Sequence, residues 1–246
     1  MPLTLHGREL LTAKTSLDTL PYAKGTSWNP KFVCLRDTRK ALIEDIIEWI
    51  YSTEESGGAE IFWLSDMAGA RKSAIAHTIA QYCDNHGLLG SSFFFNHNIP
   101  DRHTPHELFT TIARDLIRLE NNIADHISLV IEEDRSVASA CQTRQFEKLI
   151  LEPTLHHHIG RAIVIVIDGL DKGYNLETLE ILHDRVPELL GNFRIFMTSR
   201  PLDDIVTDLS EADHVHRRSI NIHGESNQSD IGVLIRNRMH YISSRK

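Results

Sequence analysis

Apolar and polar residues along this chain keep two alternating rhythms. Apolar runs occur at 61–64, 93–95, 162–167 and 195–197, the second and fourth within Ser91–Phe95 and Phe193–Met197, and the longest is Ala162-Ile163-Val164-Ile165-Val166-Ile167. Runs this continuous, rich in β-branched and aromatic residues, predict strands covered on both faces, as in the middle of a parallel sheet. Helical spacing fills the intervals. From Asp37, read as an N-cap, the apolar positions Leu42, Ile46, Trp49 and Ile50 share one helix face, until Glu55-Ser56-Gly57-Gly58 breaks the pattern. Ile75, Ile79 and Cys83 form a second stripe that His86-Gly87 ends. Pro105 opens a third helix with Leu108, Ile112, Leu116 and Leu119 on its core face. More helical pattern covers 122–151, 176–190 and 230–242, and 214–222 reads as an edge strand. Strands alternating with helices predict an α/β fold with a mainly parallel central sheet, and ligand chemistry at the carboxyl ends of its strands. Residues 1–30 hold no sustained period and end in Gly25-Thr26-Ser27-Trp28-Asn29-Pro30. They read as a lead-in segment, with Trp28 docked on a domain spanning 31–246.

Composition narrows the picture. A chain of 246 residues with 41% hydrophobic content is long enough to bury the core of one large α/β domain. A net charge of −8 argues against general nucleic-acid binding, because affinity for a phosphate backbone needs accumulated Lys and Arg. Cys34, Cys83 and Cys141 lack metal-ligand spacing, and two of them fall in amphipathic helical patterns where a small buried thiol is expected. Reduced thiols and the absence of an apolar stretch near 18 residues predict a cytoplasmic protein with no membrane partner.

The chemistry gathers at three predicted strand ends. After 61–64 comes Ser65-Asp66-Met67-Ala68-Gly69-Ala70-Arg71-Lys72-Ser73, in the strand–loop–helix context of a G-x-x-x-x-G-K-[ST] phosphate loop. In such a loop the backbone amides, here including those of Gly69 and Ala70, and the helix N-terminus hold phosphates; lysine reaches the terminal phosphates and serine binds magnesium. Lys72 and Ser73 are in place, while Asp66 and Arg71 stand at the two glycine positions. After 162–167 comes Asp168-Gly169-Leu170-Asp171-Lys172, where Asp168 is placed to hold magnesium and Asp171 to orient an attacking water. After 193–197 comes Thr198-Ser199-Arg200-Pro201, whose arginine is placed to sense a terminal phosphate. Singly, each residue reads as an ordinary turn or surface residue; their order and spacing reverse that. His156-His157-His158 reads as a solvated loop, since three adjacent residues cannot all face one ion.

These motifs, with Leu20-Pro21-Tyr22-Ala23-Lys24-Gly25, Ser27-Trp28-Asn29-Pro30, Glu60-Ile61-Phe62-Trp63-Leu64-Ser65, Arg114-Asp115-Leu116 and Phe193-Arg194-Ile195-Phe196, resemble NACHT-type P-loop NTPases of the STAND class. The likeness is strongest to the nephrocystin-like N-terminal domains of fungal multidomain proteins, and it runs from Leu20 to Ile242. The resemblance implies a three-layer P-loop NTPase-like fold and a signalling switch driven by ATP or GTP with Mg2+. It assigns Lys72 and Ser73 to the phosphate-loop pair, Ser73 and Asp168 to the metal, Asp171 to catalysis and Arg200 to the sensor. Partners would be the nucleotide and other proteins, related STAND proteins among them. Three departures weaken the chemistry. Asp66 and Arg71 crowd the loop with side chains, a non-glycine at positive φ costing roughly 1–2 kcal/mol. Lys172 stands where the pattern has glutamate. Weak or lost nucleotide binding and little hydrolysis follow, the alternative being a non-hydrolysing pseudo-NTPase acting as a protein-interaction module. Asp66 and Arg71, opposite in charge, are expected to pair across the loop mouth.

Overall fold

The computed structural model describes residues 17, 19–52, 60–157 and 159–220. Five strands, β1 (Glu60–Ser65), β2 (Leu89–Phe94), β3 (Ile163–Asp168), β4 (Phe193–Ser199) and β5 (Val215–Arg218), form one sheet. Their spatial order is β2-β3-β4-β1-β5, and every neighbouring pair is parallel. All four apolar runs fall in strands, with Phe95 one residue past the end of β2, and β1, β3 and β4 are buried throughout.

Side chains alternate across the sheet and divide the core in two. Phe62, Leu64, Val164, Val166 and Phe196 face Ile46 and Ile50 of α1 (Lys40–Tyr51) and Ile75, Ile79 and Cys83 of α2 (Lys72–Asn85). Ile61, Trp63, Ile163, Ile165 and Ile195 face the other layer. There they meet α3 (Leu108–Leu116), α4 (Asn121–Glu133), α5 (Gln142–Phe146), α7 (Leu176–Glu180) and α8 (Asp203–Leu209), while α6 (Glu152–His156) packs on α4. Each fully buried Ile, Leu or Val contributes about 1.5–3 kcal/mol of transfer free energy, which fixes the register of every inner strand. The result is a three-layer, P-loop NTPase-like α/β fold. β1 leaves toward α2 on one face, whereas β3 and β4 leave toward helices on the other. The crevice that opens where the connections part is the position at which this fold class holds ligands.

Several local expectations are corrected. Asp37 is not the cap of α1: it sits at φ 70, three residues ahead of the helix, and its carboxylate pairs with Lys40 at 2.7 Å. The second strand begins at Leu89 rather than 91, because Ser91 and Ser92 are buried with their hydroxyls donating to Asp115 Oδ2 and the Thr26 carbonyl. The helix expected over 176–190 gives way to a π turn at Ile181–Arg185 and a 3-10 turn at Val186–Glu188, since Pro187 lacks the amide that would continue it. The same device, a π turn at Glu147–Leu151 ahead of Pro153, joins α5 to α6. Cys83 is buried as expected, and burial pushes its thiol pKa up to about 12; Cys141 is exposed ahead of α5. The break at 55–58 and the helix at 230–242 lie outside the described residues.

The segment before α1 is tied to α3, to the turn after β2 and to α2. Tyr22 donates to Asp115, the Ala23 amide to Thr111, and Arg102 to the Gly25 carbonyl. Trp28 docks through Nε1 on Asp84 of α2, as its position predicts, and the Asn29 amide donates to His77 Nδ1. Among the described residues no helix is long and apolar enough to cross a membrane.

Candidate functional site

The loop after β1 continues the sheet for one more residue, the Asp66 amide donating to the Ser199 carbonyl. It then turns through Gly69 at φ 88 and Arg71 at φ 61 into α2. Lys72 is the first residue of that helix and is 9% exposed. Its ammonium donates to the carbonyls of Asp66 at 2.5 Å and Met67 at 3.0 Å, closing the loop around its own lysine. Burial pushes the Lys72 pKa down, against the opposing pull of Asp171, Asp66 and Asp168.

The two residues standing in for glycine behave differently. Arg71 takes the left-handed backbone that glycine would supply; Asp66 does not. The Asp66 carboxylate is instead spent on backbone amides, accepting from Met67 at 2.6 Å and from Ile220 at 2.9 Å. The expected ion pair with Arg71 is therefore not formed, and Arg71 is exposed beside the loop.

The ends of β3 and β4 interlock. Asp168, 2% exposed, accepts from Thr198 Oγ1 at 2.6 Å, and the Gly169 amide donates back to Thr198 at 3.0 Å. Asp171 lies one turn on and accepts from the Arg200 amide at 2.9 Å and from Arg200 Nε at 2.6 Å, so both of its oxygens are taken. Lys172 folds back, its ammonium 3.9 Å from Asp168 Oδ2 and 3.5 Å from the Phe95 carbonyl.

Gly69, Lys72, Ser73, Asp168, Asp171 and Arg200 line one cavity of about 350 Å³. Ala70 is buried and does not line it. A larger cleft of about 1210 Å³ shares Arg71, Ser73, Asp168 and Lys172 with it and runs out between α2 and the segment around Asn29 and Phe32. Within that cleft His77 stacks on Phe94 at 3.9 Å, and burial holds its pKa below the usual histidine range. Thr198 carries no role in the sequence pattern, and Lys172 enters it only as a departure from glutamate. A hydroxyl residue directly before Ser199-Arg200 at a strand end is the signal that points to Thr198.

Residues 37–200 match the family described as Nephrocystin 3, N-terminal. The chain belongs to this family. The nephrocystin 3 N-terminal match takes in the whole of the loop, Asp168 and Asp171, and ends at Arg200, so every residue of the cavity lies within it. No curated protein matches the chain.

A magnesium ion fits these residues poorly. Ser73 and Asp168 do come together, but Asp168 Oδ1 is held by Thr198 and Oδ2 faces the Lys172 ammonium. Among the described residues no three His, Cys, Asp or Glu side chains form a metal-holding group. His126 meets His156 and His157, with ring centroids 5.2 and 5.6 Å away, while His156 Nδ1 is engaged with the Glu152 carbonyl.

Proposed function

We propose that this nephrocystin-like domain is a NACHT-type nucleotide-binding module that holds ATP or GTP as a signalling switch with little hydrolysis. The observation that carries the reading is the shared cavity: a buried lysine at the start of α2, the loop after β1 and the polar ends of β3 and β4 converge on one space at the switch point of the sheet. Phosphates entering there would meet the N-terminal amides of a 14-residue helix, together with Lys72 and Arg71. The adjoining cleft has room for the rest of a nucleotide, with an aromatic floor at Phe94 and His77. Slow turnover follows from Asp171. A carboxylate whose two oxygens already accept from Arg200 is a poor acceptor for a proton from water.

That same pairing supports a second reading, a non-hydrolysing pseudo-NTPase that uses the fold to contact other proteins, related STAND proteins among them. Calorimetric titration with ATP and GTP separates the two. Saturable binding that falls at least about a hundredfold in Lys72→Ala, roughly 2.7 kcal/mol, supports the nucleotide module. Absence of binding to either nucleotide overturns it in favour of the interaction module.

A further inference from the structure

From the position of Lys172 we infer that its ammonium is the resident counter-cation of Asp168, so that the cavity takes a nucleotide polyphosphate without a divalent metal. The inference rests on the nucleotide reading and names what that site requires. In a phosphate-loop site the aspartate at the end of the third strand faces a dication that bridges it to the phosphates. Here the one oxygen of Asp168 not bound to Thr198 faces Lys172 at 3.9 Å.

The arrangement is built into the chain. Leu170–Lys172 forms a single 3-10 turn that brings position 172 back over position 169. A Cβ on Gly169 would lie 2.7 Å from Lys172 Nζ and 2.9 Å from Cε, so the far end of the lysine lies directly over the glycine. The Phe95 carbonyl at the end of β2 faces the ammonium from the far side.

The charges agree. Four cationic side chains, Arg71, Lys72, Lys172 and Arg200, line the cavity against two carboxylates, Asp168 and Asp171, and Asp171 is paired with Arg200. Among the described residues lining the cavity the positive charges are therefore in excess. A metal-free polyphosphate carries more negative charge than its magnesium complex and suits this excess better. Two cations competing for one carboxylate oxygen would also repel each other.

The test compares ATP and GTP binding by calorimetry in magnesium and in EDTA, for the wild-type chain and for Lys172→Glu. Wild-type affinities within about threefold of each other in the two buffers are expected. Lys172→Glu should bind at least about tenfold more tightly with magnesium than in EDTA. Wild-type binding that needs magnesium by tenfold or more overturns the inference and leaves the nucleotide reading standing. Metal-independent binding unchanged by Lys172→Glu also overturns the inference, since another group then supplies the charge. No binding in either buffer overturns both. The wild-type comparison requires no variant to fold, and far-ultraviolet circular dichroism checks that Lys172→Glu does.

Discussion

The two edges of the sheet both bury charge, but they use it differently. At the amino edge Glu60 and Arg194 are 2% and 3% exposed. Glu60 accepts from Trp49 Nε1 and lies 4.0 Å from Arg194 Nε, and Arg194 donates to the carbonyls of Gly191, Phe193 and Ser52. Those charges are spent within the protein. At the carboxyl edge Lys72 and Lys172 reach only carbonyls and one carboxylate, and both line a cavity. Buried charge by itself therefore does not mark a site. Charge facing open space does, because a ligand can still improve its solvation.

The largest test of this contrast lies at the spent edge. Arg194→Met should destabilise the fold by about 3 kcal/mol, since Glu60 would be left buried with only Trp49 Nε1 and His216 against its carboxylate, and Tm should fall by roughly 6–12 °C. Nucleotide affinity measured below the transition should barely move. A large affinity loss with unchanged Tm would erase the distinction between the edges.

A smaller effect is expected at the loop. Arg71→Gly removes a side chain from a left-handed backbone and should raise stability in urea by about 1 kcal/mol. A loss would mean that the guanidinium anchors the loop. The smallest effect concerns His77. Its pKa in the folded chain is lowered by burial, so the unfolded chain takes up a proton near pH 6.5 that the folded chain refuses. Stability should decline as pH falls below about 6.5 and level off once the folded pKa is passed. His77→Gln should flatten that part of the profile, measured as urea midpoints between pH 5 and 8.

The strands were legible because continuous apolar runs have few other uses, and Lys72, Ser73, Asp168, Asp171 and Arg200 were legible because their spacing relative to those runs brings them to one edge. What escaped was set by tertiary contact. The residue that takes up the Asp66 carboxylate is Ile220, which no local pattern connects to the loop. Arg200 was read as a phosphate sensor, and its engagement with Asp171 depends on the pairing of β3 with β4. The loss of regular helix before Pro153 and Pro187 was in principle readable from the prolines alone. The apolar periodicity running through both segments masked it.

The placement of β1 also dictates when the sheet can be completed. Its two neighbours are β4 and β5, with Glu60 opposite Arg194 and Ile61 opposite Val215, so its backbone donors and acceptors find partners only late in the chain. As the polypeptide is made from its N-terminus, Ile61–Leu64 must wait, apolar and unpaired, until nearly the whole domain has emerged. Closing so long a loop is slow and leaves an aggregation-prone segment exposed in the meantime. The strand that carries the candidate loop is thus the last to be secured on both sides, and a ribosome-stalled chain ending before β4 should lean on chaperones to stay in solution.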